Sequence, residues 1–495
     1  MHNFPVLSTL IVLPLLAALS ILIFVRAGRN NTSAKYAAVL GSLMPFLMVL
    51  YIYMRFDEGS HFYQFVENYP LLTSLGLEIH LGIDGISLFF LALTALLTPV
   101  CIGLSMQSID KNVKEFLVCI LLLESLTFGV FCTLNLVLFY IFFESILIPM
   151  YLIIGIWGNK NRLHASVKFF IYTLASSILF LVVIIFLFKE FGTTNIASLV
   201  YLTPTLPHDV AKYMWIATFI VFAVKIPIFP VHTWLPDAYG DAPTAGSIML
   251  SGVLQKIGGY AFLRILFPMF PDISAEYSSV VLFLSAFIVV YASLIAMAQT
   301  CMKRVIAYSS IAHMGYATAG IFSLSDVGMD AALLQLISHG VISAALFGAA
   351  GILYERVHTD EISDYGGVAQ KMPVLATMLM IATMGAVGLP GTSGFIGEFL
   401  SIISVIGTAP GIGAILAFGV ILGAIYMLRM YRDVMFGAIK NDAIATIKDL
   451  SAREIVCILP MIICILYMGV MPGSISKHYA NSLRKLSEVF VTKGM

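Results

Sequence analysis

The chain is dominated by apolar stretches of about twenty residues, separated by short polar loops. Of its 495 residues, 60% are hydrophobic and only 11% are charged, and the mean hydropathy is +0.97. A soluble protein of this length needs far more polar surface. Because a helix of roughly 20 apolar residues crosses the hydrocarbon core of a bilayer, these stretches predict an all-α integral membrane protein.

Four ionisable residues lie deep inside these stretches. Glu144 lies in YIFFESILIP and Lys225 in VFAVKIPIFP, Lys256 lies in GVLQKIGGY, and Glu398 lies in GFIGEFLSI. A charge in the middle of a bilayer costs at least ~2.5–3.5 kcal/mol on insertion scales. Such residues face the protein interior or a water-filled cavity and usually mark an ion or proton path. They therefore predict a pump or transporter.

Several other functions are disfavoured by the composition. Acidic and basic residues number 27 each and form no basic run, so nothing indicates a nucleic-acid partner. The chain has neither a Walker loop nor a GxGxxG fingerprint. The cysteines lie in or beside apolar runs without a CxxC pair, which predicts inert thiols and neither a metal site nor a cofactor site. They are Cys101, Cys119, Cys132, Cys301, Cys457 and Cys464.

If each span needs about 20 apolar residues, residues 1–495 are predicted to form a single polytopic membrane domain with about fourteen transmembrane helices. The predicted spans are centred near Leu15, Leu43, Leu96, Leu122, Glu144, Leu179, Val221, Gln255, Ile288, Ala312, Ala344, Met384 with Phe399, Val420 and Ile463. Of the 27 lysines and arginines, 17 fall in loops on one side, here called the basic side. The positive-inside rule then places both termini on the opposite, outer side.

Two of the spans contain helix-breaking residues next to an ionisable one. Proline lacks an N–H donor and clashes with the preceding turn, so each of these spans should be a discontinuous helix. The breaking residues are Pro227 and Pro230 after Lys225, and Pro390 and Gly391 before Glu398. Broken helices in matching positions indicate an inverted repeat. We therefore predict two inverted five-helix repeats, at about 114–267 and 278–432, although prolines are also common in ordinary membrane helices.

Glu144 and Lys225 are predicted to form an intramembrane ion pair. Burial disfavours both charges and pairing favours both, so a proton can be released or bound when their separation changes. A static pair that only fixes helix packing is the alternative. Lys256 has no carboxylate nearby in sequence and lies among glycines, which suits a relay that is partly neutral. Snorkelling to the interface is its alternative.

Histidines supply further candidates. His313 and His339 each lie in an apolar span, where a histidine is either a packed, hydrogen-bonded residue or a relay that titrates near neutrality. His232 follows the break at Pro230 and is either structural or part of the path. Glu124 lies deep in CILLLESLTF and could flank the Glu144–Lys225 pair. His232 and Glu124 are kept as accessory candidates.

Four runs of the sequence closely resemble the antiporter-like membrane subunits of respiratory complex I. They are FFESILIPMYLIIGIWG, KIPIFPVHTWLPDAYGDAPTAGSIMLSGVLQKIGGY, KRVIAYSSIAHMGY and GLPGTSGFIGEF. The resemblance extends from about Asp84 to Phe436, and the first run is most similar to the subunit M group, whose mitochondrial counterpart is subunit 4. Glu398 supports that group, since the sister subunits and the sodium/proton antiporter relatives usually carry lysine at the matching place.

The resemblance implies fourteen helices with two inverted repeats, which agrees with the reading of the spans. It implies that Glu144 and Lys225 form the input pair, that Lys256 is the central relay, and that His313, His339 and Glu398 lie on the outlet side. It also implies partners among the other membrane and peripheral subunits, sister antiporter-like subunits included. NADH, flavin, iron–sulfur clusters and quinone are then expected in those partners, with no cofactor in this chain.

The expected function is therefore proton translocation within NADH:quinone oxidoreductase, driven by electron transfer elsewhere in the complex. A subunit of a multisubunit sodium/proton antiporter and the membrane arm of a hydrogenase are the alternatives. The first apolar run begins within a few residues of the N-terminus, without an Arg/Ser-rich transit segment. This favours the bacterial inner membrane, or the mitochondrial inner membrane for an organelle-encoded chain.

Overall fold

The computed structural model describes residues 4–25, 31–60, 62–72 and 77–491. Every predicted span centre lies in a helix. The helices are α1 (Val6–Phe24), α2 (Thr32–Arg55), α3 (Gly85–Ser108), α4 (Val113–Cys132), α5 (Leu136–Ser145), α6 (Leu147–Trp157), α7 (Arg162–Phe191), α8 (Ile196–Leu202), α9 (His208–Lys225), α10 (Leu235–Asp241), α11 (Thr244–Met249), α12 (Gln255–Ala261), α13 (Phe267–Met269), α14 (Pro271–Glu276), α15 (Ser278–Ala298), α16 (Met302–Phe322), α17 (Asp326–Val357), α18 (Pro373–Val387), α19 (Ser393–Thr408), α20 (Pro410–Met435), α21 (Asp442–Thr446), α22 (Ala452–Val470) and α23 (Gly473–Val491).

Within the described ranges, ten helices are long and apolar enough to cross a bilayer, with α5 and α6 counted together. They are α1, α2, α3, α4, α5 with α6, α7, α15, α17, α20 and α22. Shorter apolar helices add to them, among them α18 and α19. The chain is therefore a multi-pass membrane protein, as its composition predicts, whereas the count of fourteen spans stays a prediction.

Burial separates a central group of helices from a peripheral one. The apolar part of α17 is entirely buried, whereas only 33% of that part of α1 and 28% of that part of α2 are buried. A helix that is apolar on every face belongs at the centre of a bundle. α17 therefore forms the middle of the molecule, where it packs against α16, α18 and α19.

Hydrogen bonds between loops agree with the predicted sidedness of the chain. On the basic side, the Asn159 N–H donates to the Asp241 carbonyl over 2.7 Å. On the outer side, the Leu136 N–H donates to the Thr194 carbonyl over 2.8 Å. Each bond joins two loops that the orientation rule assigns to the same face.

The chain also forms a β-hairpin on the outer side, which the sequence patterns above do not predict. β1 (Gln64–Leu72) pairs antiparallel with β2 (Leu77–Ile83), and the register shifts twice, once between Pro70 and Leu72. Proline cannot donate to a ladder, so an irregularity beside it is expected. The hairpin leads directly into α3, whose first turn is capped by the Asp84 carboxylate.

Both predicted helix breaks are present. α9 ends at Lys225 and turns occupy residues 226–234, which include Pro227 and Pro230. α18 ends at Val387 and α19 begins at Ser393, with Pro390 and Gly391 between them. Gly388 and Gly391 have φ of +75° and +92°, a region that glycine adopts without steric cost. The fold therefore has the two predicted discontinuous helices, whereas the repeat boundaries at 114–267 and 278–432 stay predictions.

Candidate functional site

Lys256 lies at the centre of the buried polar groups. Its side chain is fully buried on α12, and π-helical turns precede and follow it at Leu250–Leu254 and Phe262–Leu266. Nζ lies 2.6 Å from the Ser251 carbonyl, 3.3 Å from Gln255 Oε1 and 2.6 Å from His339 Nδ1. These three neighbours match the three donors of an ammonium group. Lys256 is therefore held by neutral groups, one of which can bind a proton.

A pair of histidines continues the line from Lys256. His339 lies on α17 and His313 on α16, and their ring centroids are 5.3 Å apart. When Lys256 is charged, His339 Nδ1 accepts its hydrogen bond and the ring proton lies on Nε2. The two rings therefore bring an imidazole from each helix to the same place in the interior.

Glu398 ends this line. His313 Nδ1 lies 2.6 Å from Glu398 Oε1, and the two side chains are only 7% and 5% exposed. That distance makes an ion pair when the imidazole is protonated, although the ring N–H does not point along a straight hydrogen bond. The Gln335 amide also reaches Oε1, at 3.4 Å. The structure thus brings Lys256, His339, His313 and Glu398 into one row, with contacts of 2.6 Å at its two ends. In the middle, the two imidazole rings are neighbours, but no hydrogen bond joins them.

Glycines make room around the Glu398 carboxylate. A Cβ at Gly388 would lie 2.9 Å from Glu398 Oε2. A Cβ at Gly397 would lie 2.5 Å from Gln335 Oε1 and 2.8 Å from the Gln335 backbone. Side chains at these two positions would push the carboxylate away or separate α19 from α17. The Gly-rich break therefore positions Glu398 as well as interrupting the helix.

Lys225 occupies a different environment, made of aromatic rings. Its Nζ lies 4.6 Å from the centroid of the Phe143 ring and 5.9 Å from that of Phe169. Lys225 is 5% exposed and is the last residue of α9. A cation over aromatic faces gains ~0.5–2 kcal/mol. The rings therefore stabilise the ammonium without fixing its direction.

The predicted ion pair of Glu144 with Lys225 is not closed. The two charges interact at longer range, and Glu144 also interacts with the Ser177 hydroxyl. Among the described residues, ion pairs within 4.0 Å do not include these two. Glu144 is half-buried, and its neighbours on the same helical face, Ile141 and Ile148, are 43% and 62% exposed. Its helix therefore lies at the edge of the molecule.

The accessory candidates lie apart from this row. Glu124 is fully buried and interacts with Thr98 of α3, although neither carboxylate oxygen has hydrogen-bond geometry to a described residue. Within the described residues, no hydrogen bond or ion pair joins it to Glu144 or Lys225. His232 packs against Phe229 and Tyr291 at ring distances of 5.8 and 5.4 Å. These contacts favour the structural interpretation of His232.

Sequence reasoning missed two buried cations. The orientation rule counts Arg264 among the few cations of the outer side, yet it is 5% exposed, and its guanidinium lies 2.5 Å from the Asp84 carboxylate. The same rule counts Lys303 among the 17 cations of the basic-side loops, yet it is 1% exposed and lies over the Tyr354 ring at 4.9 Å. Their partners are distant in sequence, and their positions near span ends resemble those of ordinary loop cations.

The sequence matches a known protein family and is similar to known proteins over nearly its whole length. The family described as "NADH:quinone oxidoreductase/Mrp antiporter, TM" matches residues 133–425. NADH-quinone oxidoreductase subunit M of Rickettsia felis is 50% identical over 98% of this chain and 99% of its own length. The chain belongs to the NADH-quinone oxidoreductase subunit M family.

Other members of this family and a solved structure agree. NADH-ubiquinone oxidoreductase chain 4 of Marchantia polymorpha is 42% identical over 94% of each chain. A chain of respiratory complex I from Thermus thermophilus with bound NADH has a TM-score of 0.87 and 30% identity, covering 98% of this chain and 99% of that chain. The resemblance drawn from the sequence is confirmed. The range 133–425 that matches the family model contains both breaks and the six main candidates, whereas Glu124 precedes it.

Proposed function

We propose that this chain translocates protons in the membrane arm of an NADH:quinone oxidoreductase. The observation that carries the proposal is the buried row from Lys256 through His339 and His313 to Glu398, with 2.6 Å between the groups at each end. Every member of the row can bind and release a proton. A row of such groups across four packed helices has little value for packing, since apolar residues of similar size stabilise a core as well.

A proton crosses the row in three transfers, of which the first and the last are over 2.6 Å. The Lys256 ammonium gives a proton to His339 Nδ1, and the ring loses its other proton from Nε2 toward His313. His313 Nδ1 then passes a proton to Glu398 Oε1. Burial disfavours every charged form, so the free energy of each transfer depends on the charges nearby. Movement of the Lys225 charge is therefore sufficient to bias the row.

Glu144 and Lys225 act as the input in this proposal. Their open arrangement lets the Lys225 ammonium move between the aromatic rings and the Glu144 carboxylate. Each position places a positive charge at a different distance from Lys256. Gly258, two residues from Lys256, packs directly on the break, because a Cβ there would lie 2.7 Å from the Ile226 nitrogen. The break after Lys225 and the helix that carries Lys256 are therefore in direct backbone contact.

Electron transfer takes place elsewhere in the complex in this proposal. The chain carries no redox centre of its own, and NADH, flavin, iron–sulfur clusters and quinone belong to partner subunits. The partners are the other membrane and peripheral subunits, sister antiporter-like subunits included. The half-buried Glu144 supports this assembly, because a carboxylate at the edge of the molecule is costly against lipid and is better covered by a neighbouring subunit.

Two alternatives use the same fold, namely a subunit of a sodium/proton antiporter and the membrane arm of a hydrogenase. Relatives that are 42–50% identical over nearly the whole chain carry NADH-quinone or NADH-ubiquinone oxidoreductase names, which favours the respiratory enzyme. Glu398 also argues against the antiporter, since the sodium/proton antiporter subunits usually carry lysine at the place that matches Glu398.

The test replaces the central lysine by a neutral residue of similar length. Lys256→Met should lower NADH-driven proton uptake into inverted membrane vesicles by about 100-fold or more, because no proton can then be passed to His339. Lys189→Met removes an exposed lysine at the end of α7 and serves as the matched control. Native gels report assembly. Assembled Lys256→Met enzyme that pumps at the control rate would overturn the proposal.

A further inference from the structure

We propose that Arg264 is a positioning residue, which the outer β-hairpin holds in place and which in turn holds Lys256 beside His339. Lys256 and Arg264 lie eight residues apart on one continuous helical segment, formed by α12 and the π turn after it. The inference rests on the proposed function, because it concerns the first transfer of the row. It adds a residue that acts on the row from the outer side of the molecule.

The guanidinium of Arg264 is bound by groups at both ends of the hairpin. Nη2 donates to Asp84 Oδ1 at 2.5 Å, and Nη1 donates to the Tyr63 hydroxyl at 3.1 Å. Asp84 follows the last residue of β2, and Tyr63 precedes the first residue of β1. The Arg264 and Asp84 side chains are only 6% and 8% exposed. The hairpin therefore holds a cation that belongs to the helix of the central lysine.

A buried ion pair of this kind is better suited to fixing a position than to adding stability. Apolar residues of similar volume often stabilise a core as well as such a pair, whose best-attested use is to specify register. The fork of arginine donors also fixes an orientation, which the point charge of a lysine does not. Nη2 of Arg264 donates in addition to Ser87 Oγ at 3.3 Å. Arg264 is therefore held in direction as well as in place.

Tyr260 connects this anchor to the turn that carries Lys256. It lies four residues after Lys256 and four before Arg264, about one helical turn from each. Arg264 Nε donates to the Tyr260 hydroxyl at 3.4 Å. That hydroxyl lies 3.1 Å from Ser87 Oγ and donates to the Phe131 carbonyl at 3.3 Å. The outer half of the helix is therefore fastened to α3 and α4 at two successive turns.

Lys256 needs such an anchor because π turns lie on both sides of it. A π turn is wider than an α turn by one residue. Its loss or gain shifts the residues beyond it by about 1.5 Å along the helix axis and about 100° around it. A shift of that size would separate Lys256 Nζ from His339 Nδ1, which are 2.6 Å apart. Arg264 is the third residue of the outer π turn, Phe262–Leu266, so its contacts keep the extra residue of that turn in place.

The test replaces the arginine fork by a point charge at Arg264 and at a matched ion pair. Arg264→Lys keeps a cation in the buried pair and so avoids an unpaired carboxylate. Arg356→Lys makes the same change on the basic side, where Arg356 donates to both Glu454 oxygens at 3.0 and 2.8 Å. A cryo-EM structure of the Arg264→Lys complex should show Lys256 Nζ beyond hydrogen-bond distance of His339 Nδ1. Arg356→Lys should leave that distance unchanged.

Proton pumping is measured in the same two variants. NADH-driven proton uptake per assembled complex should fall about tenfold in Arg264→Lys, since a misplacement of about 1 Å can slow a reaction by up to about 100-fold. Uptake should stay normal in Arg356→Lys, with a similar loss of thermal stability in both variants. A merely structural role of Arg264 would lower pumping equally in both, or would leave Lys256 beside His339 in Arg264→Lys. Either result would overturn the proposal.

Tyr260→Phe decides the matter if Arg264→Lys does not assemble. It removes only the hydroxyl that joins the anchor to α3 and α4. Tyr431→Phe is the matched control, because it removes a buried hydroxyl that donates to the Ala376 carbonyl at 3.0 Å. Pumping should fall several-fold in Tyr260→Phe and stay normal in Tyr431→Phe. Equal rates in these two variants would overturn the proposal.

Lys256→Met separates this proposal from the proposed function. If Lys256→Met pumps at the control rate, the row is wrong, and the position of Lys256 in the Arg264→Lys structure still decides the role of Arg264. If Lys256→Met stalls while Arg264→Lys pumps normally with Lys256 in place, only the role of Arg264 is wrong.

Discussion

The two broken helices hold their ionisable residues in opposite ways. Lys225, at the break of α9, lies over the rings of Phe143 and Phe169 and makes no ion pair within 4.0 Å among the described residues. Glu398, beyond the break between α18 and α19, lies 2.6 Å from His313 and accepts from Gln335. One end of the path holds a cation loosely, and the other holds an anion at short range.

This difference separates the movable part of the path from the fixed part. Cation–π attraction varies slowly with position and is worth ~0.5–2 kcal/mol. The contact of His313 with Glu398 acts at the shorter distance of 2.6 Å and is an ion pair when the imidazole is protonated. A modest free energy supplied by partner subunits can therefore displace Lys225, whereas Glu398 stays in place and only gains or loses a proton. The input end is the part that switches.

The backbone also differs between the two breaks. Prolines interrupt the helix just after Lys225, and two glycines with positive φ interrupt it before Glu398. A proline limits which hydrogen bonds can form. A glycine in addition lets other groups approach the bare backbone. At the second break, the Glu398 carboxylate approaches the backbone in this way, since its Oε2 lies against Gly388.

Removal of the movable charge is expected to have the largest effect. Lys225→Ala should lower NADH-driven proton pumping by about 100-fold or more, because it removes the charge that biases Lys256. The complex should still assemble, since the lysine contributes a switchable charge rather than packing. Proton uptake into inverted vesicles and native gels measure the two quantities.

Variants of Glu144, the proposed partner of Lys225, extend this prediction. Glu144→Gln should reduce pumping nearly as much as Lys225→Ala, whereas Glu144→Asp should be milder because a charge is kept. Normal pumping by fully assembled Lys225→Ala enzyme would show that the cation on the aromatic rings is structural. The proposed contrast between the two ends would then be wrong.

A smaller effect is expected from methyl groups at the second break. Gly388 and Gly391 both have positive φ, so alanine at either position adds a similar strain of ~1–2 kcal/mol. Only at Gly388 does the new Cβ meet Glu398 Oε2, at 2.9 Å, whereas at Gly391 it meets nothing within 4 Å. Gly388→Ala should therefore lower proton pumping about tenfold by moving the carboxylate away from His313.

Gly391→Ala is the matched control for that prediction. It should pump normally and lose thermal stability to the same extent as Gly388→Ala, as thermal denaturation of the purified complex can measure. If both variants pump equally well, the short distance between His313 and Glu398 does not matter for transfer. If both stall, the effect belongs to backbone strain at the break.

Sequence alone identified the breaks and the ionisable residues because both signals are local. A lysine beside Pro227 or a glutamate after Gly391 is visible in a few letters. The partners were predicted less well. His339, which contacts Lys256, lies 83 residues away, and no periodicity links two helices at that distance. Likewise, no sequence pattern pairs Arg264 with Asp84, which lies 180 residues earlier.

The Glu144–Lys225 pair shows a second limit of the sequence. Two opposite charges in apolar spans predict an ion pair, and the aromatic residues near them look like ordinary core residues. Phe143, next to Glu144 in sequence, lies under the ammonium instead. No sequence spacing is typical of a cation–π contact. Only the packing of α5 against α7, and of Phe143 against Phe222 of α9, reveals it.

The smallest effect is expected at Phe143, because its contact with Lys225 is worth only ~0.5–2 kcal/mol. Phe143→Leu keeps an apolar side chain of similar reach but removes the ring face at 4.6 Å from Nζ. Without that ring face, the preferred position of the Lys225 ammonium shifts from the aromatic rings toward the Glu144 carboxylate. A closed ion pair in a buried place binds its proton more firmly. Proton pumping should therefore slow about threefold in vesicles, with assembly unchanged.

Phe139→Leu provides the matched control for this change. Phe139 stacks on Phe143 with ring centroids 5.7 Å apart on the same helix and is fully buried. Its substitution removes the same volume and a ring contact, but no contact with Lys225. Pumping in Phe139→Leu should stay close to that of the unmodified enzyme. An equal slowing in both variants would mean that loose aromatic packing is responsible. Slowing in Phe143→Leu alone would instead tie the rate to the position of the ammonium, since both variants lose a ring of the same size but only Phe143 lies against Lys225.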